Sequence, residues 1–421
     1  PLEETGGAVL EVNAAPGFRM HLAPTSGLPR NVAAPVIDKL FPKGSNGRIP
    51  IVAVSGTNGK TTTTRLIAHM AKMTGKRVGY TTTDGVYIQN RLLMKGDCTG
   101  PASAEFVLRD PTVNYAVLEC ARGGLLRAGL AFGKCDVGIV TNVAADHLGL
   151  KGIHTLEQLA KVKGVIPETV LPEGYAILNA DDPYVYEMRR NIECNLALFS
   201  MDENNPHVKA LQRKGGISAI YENGFVTICR GEWKMRVMKA EDIPLTFGGK
   251  AKFMIQNVLA AVLAAHVQGM SIEDMKVALE SFIPSASLTP GRLNMFKFKD
   301  FTILLDYAHN PAGMRALKDF TDQIEATLKV GIIAGIGDRR EEDTNEMGAI
   351  AAEMFDEVII RQDKNLRGKS EQEIIKMLHD GILAKDPNKK TTIIPSEREA
   401  ILHAVRNATK GSLIVLCSDV I

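Results

Sequence analysis

The sequence predicts an α/β fold: a doubly wound central domain of P-loop type with a small appended β-sheet, followed by a smaller Rossmann-like α/β domain. Three observations predict it. Residues 51–64, IVAVSGTNGKTTTT, are an apolar run that opens into a glycine-framed turn ending in a lysine and four threonines. Strand-like runs at 115–119, 137–141 and 175–179 then alternate with helical periods, and FMIQNVLAAVLAAHVQGM (253–270) closes that unit. After Pro284 and the turn at Pro290-Gly291 the rhythm restarts, with strands expected at 302–306, 330–335, 357–361, 391–395 and 412–416. The boundaries expected are 1–49, 50–285 and 286–421. Residues 200–250 differ, with short β-like pieces and polar turns that suit a small sheet attached to the central domain.

Composition bounds the rest. A chain of 421 residues, 45% hydrophobic, has room for packed cores and about two to four domains. Lys plus Arg total 50 against 48 Asp plus Glu, so no global field draws the chain to nucleic acid or a membrane surface. Cys98, Cys120, Cys135, Cys194, Cys229 and Cys417 show no C-x-x-C spacing and read as reduced thiols. With no signal-like segment and no apolar run near 18 residues, the expected compartment is the cytoplasm.

Taken in order, the first informative segment is GAVLEVNAAPG (7–17), which resembles the last strand of an ATP-grasp domain. In that family a Glu-x-Asn pair, here Glu11 and Asn13, ligates Mg²⁺. About 40 residues cannot hold the rest of such a domain, so residues 1–49 read as a remnant and a linker, with Pro24, Pro29, Pro35, Pro42 and KGSNG (43–47) at the seam. Both ends of the chain read as cut.

The strongest chemical signal follows. Ile51, Val52 and Val54 suit a buried parallel strand, and Thr62 to Met70 suit the helix after it. Gly56 and Gly59 let backbone N–H groups wrap a phosphate chain at the positive helix end. Lys60 would neutralise the β/γ-phosphates of a nucleotide and Thr61 would ligate Mg²⁺, with Thr57, Asn58 and Thr62 completing the cradle. Val54 stands where the usual GxxxxGK[ST] pattern has its first glycine, so this is a shorter variant. Further signals sit where strands end, as ligand sites do in open α/β sheets. Glu119 follows YAVL, and Asp146-His147 follows VGIVTNVAA, each a strand tip that suits a divalent cation; Lys161 and Lys163 lie on the next expected helix. Taken alone, a His after a strand is more often a hydrogen-bonded loop residue, and lysines on a helix are more often a solvated face.

GTNGKTTTT, Glu119, NVAADH (142–147), the lysine helix, LNADDP (178–183), the Asn257 helix, PGR (290–292) and LLDYAHNP (304–311) occur in the order found in Mur ligases and folylpolyglutamate synthetases, and residues 50–421 resemble that family. The resemblance implies an ATP-dependent acid–amino-acid ligase using Mg²⁺. Lys60 and Thr61 would hold the phosphates and the first cation, while Glu119 and His147 would ligate the metal facing an acyl phosphate. Lys163 aligns with the family's carbamylated lysine better than Lys161. Asn257 would face adenine, Arg292 the γ-phosphate and Asp306 the ribose, with His309 close by. Where tripeptide-adding members carry a DNPR-type motif, this chain has DKNLRGKS (363–370), which argues against diaminopimelate as the amine.

Longer phrases, EVNAAPGFRMHLAPTSGLPRNVAAPV, GDCTGPASAEFVLRDPTV and LECARGGLLRAGLAF, narrow the resemblance to a branch that joins an ATP-grasp domain to a Mur-ligase-like one. That branch implies an aspartate–arginine polymer and free arginine as substrates, isopeptide bond formation at the aspartate β-carboxyl, and a homo-oligomer in the full-length enzyme. Arginine recognition needs carboxylates for the guanidinium fork, for which Asp338, Glu341, Glu342, Asp343 and Asp363 are candidates. The alternatives are a ligase acting on a muramoyl peptide or folate, and a catalytically silent polymer-binding module.

Overall fold

The computed structural model describes residues 4, 6–7, 11–362, 366 and 368–418, and the chain falls into two units, Pro1–Ile49 and Pro50–Ile421. Among its described residues the first unit holds the short helices Arg19–Leu22 and Ala33–Leu40, with no buried residue in either. Asn13 donates to Glu11 at 2.9 Å, and both side chains are exposed.

The second unit is built on two sheets. Its first contains β1 (Ile51–Ser55), β2 (Val78–Thr82), β3 (Gly85–Ile88), β4 (Arg91–Lys95), β5 (Tyr115–Glu119), β6 (Cys135–Val140), β7 (Val170–Asn179), β8 (Asn195–Ser200), β9 (Ile217–Glu222), β10 (Phe225–Arg230) and β11 (Trp233–Lys239). Their order is β11-β10-β9-β8-β7-β6-β1-β5-β2-β3-β4. From β2 through β9 neighbours pair in parallel, and both flanks end in antiparallel hairpin strands. The segment expected as a small attached sheet therefore continues the main one, because β9 pairs in parallel with β8 through Ala197↔Ile217 to Ser200↔Ile220. The second sheet, β12 (Asn294–Lys297), β13 (Phe301–Asp306), β14 (Lys329–Ile333), β15 (Glu357–Ile360), β16 (Lys390–Ile393) and β17 (Ser412–Cys417), runs in the order β12-β13-β17-β14-β15-β16.

Strands buried on both faces need continuous apolar runs, and β1, β2 and β5 are buried at every position. The helix Lys252–Val267 buries Met254, Ile255 and every residue from Asn257 to Ala265. It is apolar all round because it packs on β7 to β10 and on the phosphate-loop helix Lys60–Met73 at once. Five of the six cysteines are buried and all six are free. Among the described residues no helix is long and apolar enough to cross a membrane.

Candidate active site

β1, β5 and β6 are adjacent, so their C-terminal ends deliver the phosphate loop, Glu119 and the Asp146-His147 segment to one crevice. A cleft of about 740 Å³ opens there, and Lys60, Glu119, His147, Lys163, Arg292 and Asp306 all reach its wall. Gly56, Thr57, Asn58, Gly59, Thr61, Thr62, Asn257 and His309 line it too.

The loop is shaped by its two glycines. Gly56 has φ +140° and Gly59 has φ +86°. A Cβ on Gly56 would overlap the Thr141 hydroxyl and one on Gly59 the Asn257 amide, so only glycine fits either place. Thr57 N–H donates to the Asn142 carbonyl at 2.8 Å, Asn58 N–H to the Asn142 amide oxygen at 2.8 Å, and the Thr141 hydroxyl to the Asn58 carbonyl at 2.6 Å. Asn257 thus sits against the phosphate loop itself. Lys60 opens the helix, and its ammonium rests on the Thr57 carbonyl at 2.9 Å, where an anion in the loop would draw it away.

Glu119 is buried, and its carboxylate accepts from the Thr61 hydroxyl at 2.9 Å, the Thr83 hydroxyl at 2.9 Å and Thr83 N–H at 3.2 Å. Among the described residues no basic side chain pairs with it within 4 Å. A buried carboxylate held by hydroxyls and an amide fits a cation. Thr83 escaped the sequence reading; its signal was a hydroxyl run, TTTD, at the end of a strand.

Lys163 and Lys161 separate cleanly. Thr155 caps their helix, Leu156–Glu168, in a reciprocal box with Gln158, and the 3.6-residue period turns Leu159, Ala160, Lys163 and Ile166 inward while Lys161 faces solvent. The Lys163 ammonium donates to the Gly56 carbonyl at 2.7 Å beneath the phosphate loop. Burial, with Lys60 adding repulsion, pushes it down to about 7 from 10.5.

His147 has φ +53°. Its Nδ1 accepts from Arg339 at 2.6 Å and lies 3.6 Å from Asp338, and its Nε2, 3.9 Å from Asp146, is the ring nitrogen that could meet a metal. Asp146 meets Arg339 at 3.1 Å and His309 at 3.8 Å. Burial alone would raise its carboxyl, but His309 and Arg339 hold it far below the usual carboxylate range. Burial lowers His309, whose Nδ1–H donates to the Tyr307 carbonyl at 2.8 Å. Arg339, absent from the sequence-derived set, is thus the buried centre of a cluster joining residues after β6 to residues after β13 and β14. Among the described residues no three His, Cys, Asp or Glu side chains converge as a ready-made metal site.

Arg292 lies 4.0 Å over the Tyr307 ring and 3.5 Å from the Thr61 hydroxyl. Burial pushes Asp306 up to about 6 despite Arg292 nearby, and its carboxylate accepts from Leu293 N–H at 2.9 Å. Asn58 and Asn310 exchange amide hydrogen bonds of 3.2 and 3.0 Å, so the second sheet's segment touches the phosphate loop directly. Of the arginine-recognition candidates, Asp338 reaches the cleft but already pairs with Arg339 at 2.9 Å. Asp343 is buried in a two-pronged pair with Arg340, Glu341 and Glu342 are exposed, and Asp363 lies outside the described residues.

A phosphate loop, a hydroxyl-held carboxylate and a buried low-pKa lysine on this two-sheet frame define a nucleotide-using α/β protein. Residues 54–265 match the Mur ligase middle domain and residues 291–420 the Mur ligase glutamate ligase domain, and the chain belongs to the Mur ligase family. It is 54% identical over 416 residues to a cyanophycin synthetase of Geminocystis herdmanii, covering 99% of this chain and 48% of that protein. A diaminopimelate-adding UDP-N-acetylmuramoyl-L-alanyl-D-glutamate ligase of Caldanaerobacter subterraneus is 25% identical over 382 residues, covering 89% of this chain and 74% of that protein. The chain spans about half the length of the cyanophycin synthetases it matches. A solved bifunctional folylpolyglutamate synthase/dihydrofolate synthase with Mn, AMPPNP and L-glutamate bound shares the fold, with TM-score 0.65 and 19% identity over 88% of this chain and 87% of that one.

Proposed function

We propose that this chain is an ATP-dependent amide ligase that joins arginine to the β-carboxyl of aspartate in cyanophycin, a polymer of aspartate and arginine. The observation that carries it is the arrangement under the phosphate loop: Lys60 and Thr61 at the helix start, Glu119 on the Thr61 and Thr83 hydroxyls, and buried Lys163 on the Gly56 carbonyl. Identity near 54% to a cyanophycin synthetase, against 25% to a diaminopimelate-adding ligase, supports the choice of polymer and amine.

With the Thr57 and Asn58 N–H groups held by Asn142, the N–H groups of the helix start from Lys60 onward, and the Lys60 ammonium, bind the triphosphate and orient its γ-phosphate toward the cleft. The substrate carboxylate attacks that phosphorus in line; the bond to the β-phosphate oxygen breaks, giving an acyl phosphate and ADP. The amine then adds to the acyl carbon, loses its proton and expels phosphate, leaving the amide. Arg292, beside Thr61, faces the charge that develops in both steps. Mg²⁺, where bound, would be held by Thr61 and Glu119 at one position and by Glu119, His147 and a carbamylated Lys163 at a second, and would neutralise repulsion between the two anions. A lysine with a pKa about 7 is half neutral at that pH and so is able to take up CO₂, whereas a charged ammonium would repel the cation. Asp306 serves the ribose and Asn257 the nucleotide side of the loop, and the carboxylate for the guanidinium is sought first at Asp338, which would have to exchange Arg339 for the substrate, and at Asp363.

The test is phosphate release from ATP by the purified chain with a β-aspartyl primer, with and without arginine, and a primer mass gain of one arginine. Arginine is expected to be favoured over lysine, because a bidentate carboxylate–guanidinium pair adds charge-assisted bonds of roughly 1.5–3 kcal/mol each. A preference for diaminopimelate or glutamate overturns the cyanophycin assignment and leaves the ligase class standing.

A further inference from the structure

Behind the phosphate loop lies a second buried polar cluster, centred on Arg65, that no step above employs. Arg65 sits one helical turn after Thr61 and is 4% exposed. Its guanidinium pairs with Asp84, meets the Tyr87 hydroxyl at 2.8 Å and the Tyr80 hydroxyl at 3.5 Å, and donates to the Leu288 carbonyl at 3.3 Å. Tyr80 and Tyr87 stack at 4.7 Å, and the guanidinium carbon lies 4.6 Å from the Tyr87 ring centre. Asp84 also accepts from the Thr82 hydroxyl at 3.0 Å and from the Tyr87 hydroxyl.

The three segments this fork grips each carry a group of the reacting site. The helix carries Thr61. Asp84 directly follows Thr83, whose N–H and hydroxyl hold Glu119. Leu288 lies on the segment leading to Arg292, in a turn closed by Thr289 N–H to Ser285 at 2.9 Å and Arg292 N–H to Thr289 at 3.0 Å. One planar cation, desolvated and with its donors in a fixed geometry, sets the spacing of all three.

We propose that Arg65 is a positioning residue of the ligase: by bridging Asp84 to the Leu288 carbonyl it registers the Thr83–Glu119 cation site against Arg292 across the phosphate loop. This rests on the ligase reading above. Lysine keeps the charge opposite Asp84 but cannot span Asp84, Tyr87 and Leu288 together. In Arg65→Lys the loop backbone stays intact, so the KM for ATP stays within about 3-fold, while kcat falls by about 10-fold or more, since small misplacements of reacting groups are that costly. The Mg²⁺ concentration for half-maximal activity should rise several-fold, a shift that a role in folding alone would not produce.

The experiment compares Arg65→Lys, Asp84→Asn and Lys60→Ala in the full chain, with melting curves beside kcat, KM and a Mg²⁺ titration. Loss of kcat with a raised Mg²⁺ midpoint in every pair variant that folds is the expected result. A folded Arg65→Lys or Asp84→Asn with both values unchanged overturns the proposal, and failure of both to fold assigns the pair to the fold alone and overturns it too. An inert Lys60→Ala beside a normal Arg65→Lys would defeat only the positioning role. An unsubstituted chain that releases no phosphate from ATP with a β-aspartyl primer and arginine would defeat the ligase reading, and this one with it, whereas full turnover by Lys60→Ala would defeat only the role given to Lys60.

Discussion

Replacing Lys163 by methionine should make the chain more stable and less active. Its ammonium is buried, and its drop from 10.5 to about 7 corresponds, at about 1.36 kcal/mol per pH unit, to a folding penalty of roughly 5 kcal/mol. The hydrogen bond to the Gly56 carbonyl, lost in the variant, returns about 1.5–3 kcal/mol of that. The net expectation is a gain of roughly 2–3.5 kcal/mol for Lys163→Met at pH 6.5 in CO₂-free buffer. The sign follows from proton counts. Between about 7 and 10.5 the unfolded chain holds a proton on Lys163 that the folded chain does not, so wild-type stability climbs with pH across that window and the advantage of methionine fades. Denaturant unfolding at pH 6.5 and 9 measures both differences. Ligation should fall by 100-fold or more on the order of a lost metal-binding group, and Lys163→Ala should recover partly with formate or acetate. A methionine variant that is less stable at pH 6.5, or one that ligates normally, refutes the reasoning; rescue at Lys161 instead would place the carbamate on the exposed lysine.

Lys60→Ala should remain folded, since its ammonium's one hydrogen bond among those described is to its own loop, yet lose ATP-driven ligation; near-normal turnover in a folded variant is the contrary result. Asn58→Ala and Asn310→Ala should show a coupling of about 0.5–1.5 kcal/mol in a double-mutant cycle. Asn310→Ala alone should cost about 1 kcal/mol more, because that side chain also caps the helix Pro311–Thr321 through Gly313 N–H at 2.8 Å. Additive unfolding energies would deny the inter-segment contact. Replacing Glu11 and Asn13 together should leave the proposed arginine addition unchanged, since the two bond to each other on an exposed segment; a marked loss, read as phosphate release, would contradict this.

The sequence by itself determined the parts whose physics is local. A buried strand, a glycine-framed turn and a helix start are contiguous, so GTNGKT declared its phosphate loop, and β5, read as 115–119, ends on Glu119 as expected. The parallel alternation likewise announced two α/β layers. What it left open were relations between distant segments. Residues 200–250 read as a small appended sheet because short β-like pieces between polar turns look like one, and only pairing of β9 with β8 makes their strands the flank of the main sheet. Lys161 and Lys163 are equivalent until the helix is docked, when its inward face chooses Lys163. Asp338 stood out as a carboxylate, but the arginine beside it, which meets His147 from 192 residues away and Asp146 next to it, could not. Hydrogen bonds and ion pairs across such spans depend on where the chain returns in space, and burial then decides which charges are paired, silenced or left for a ligand.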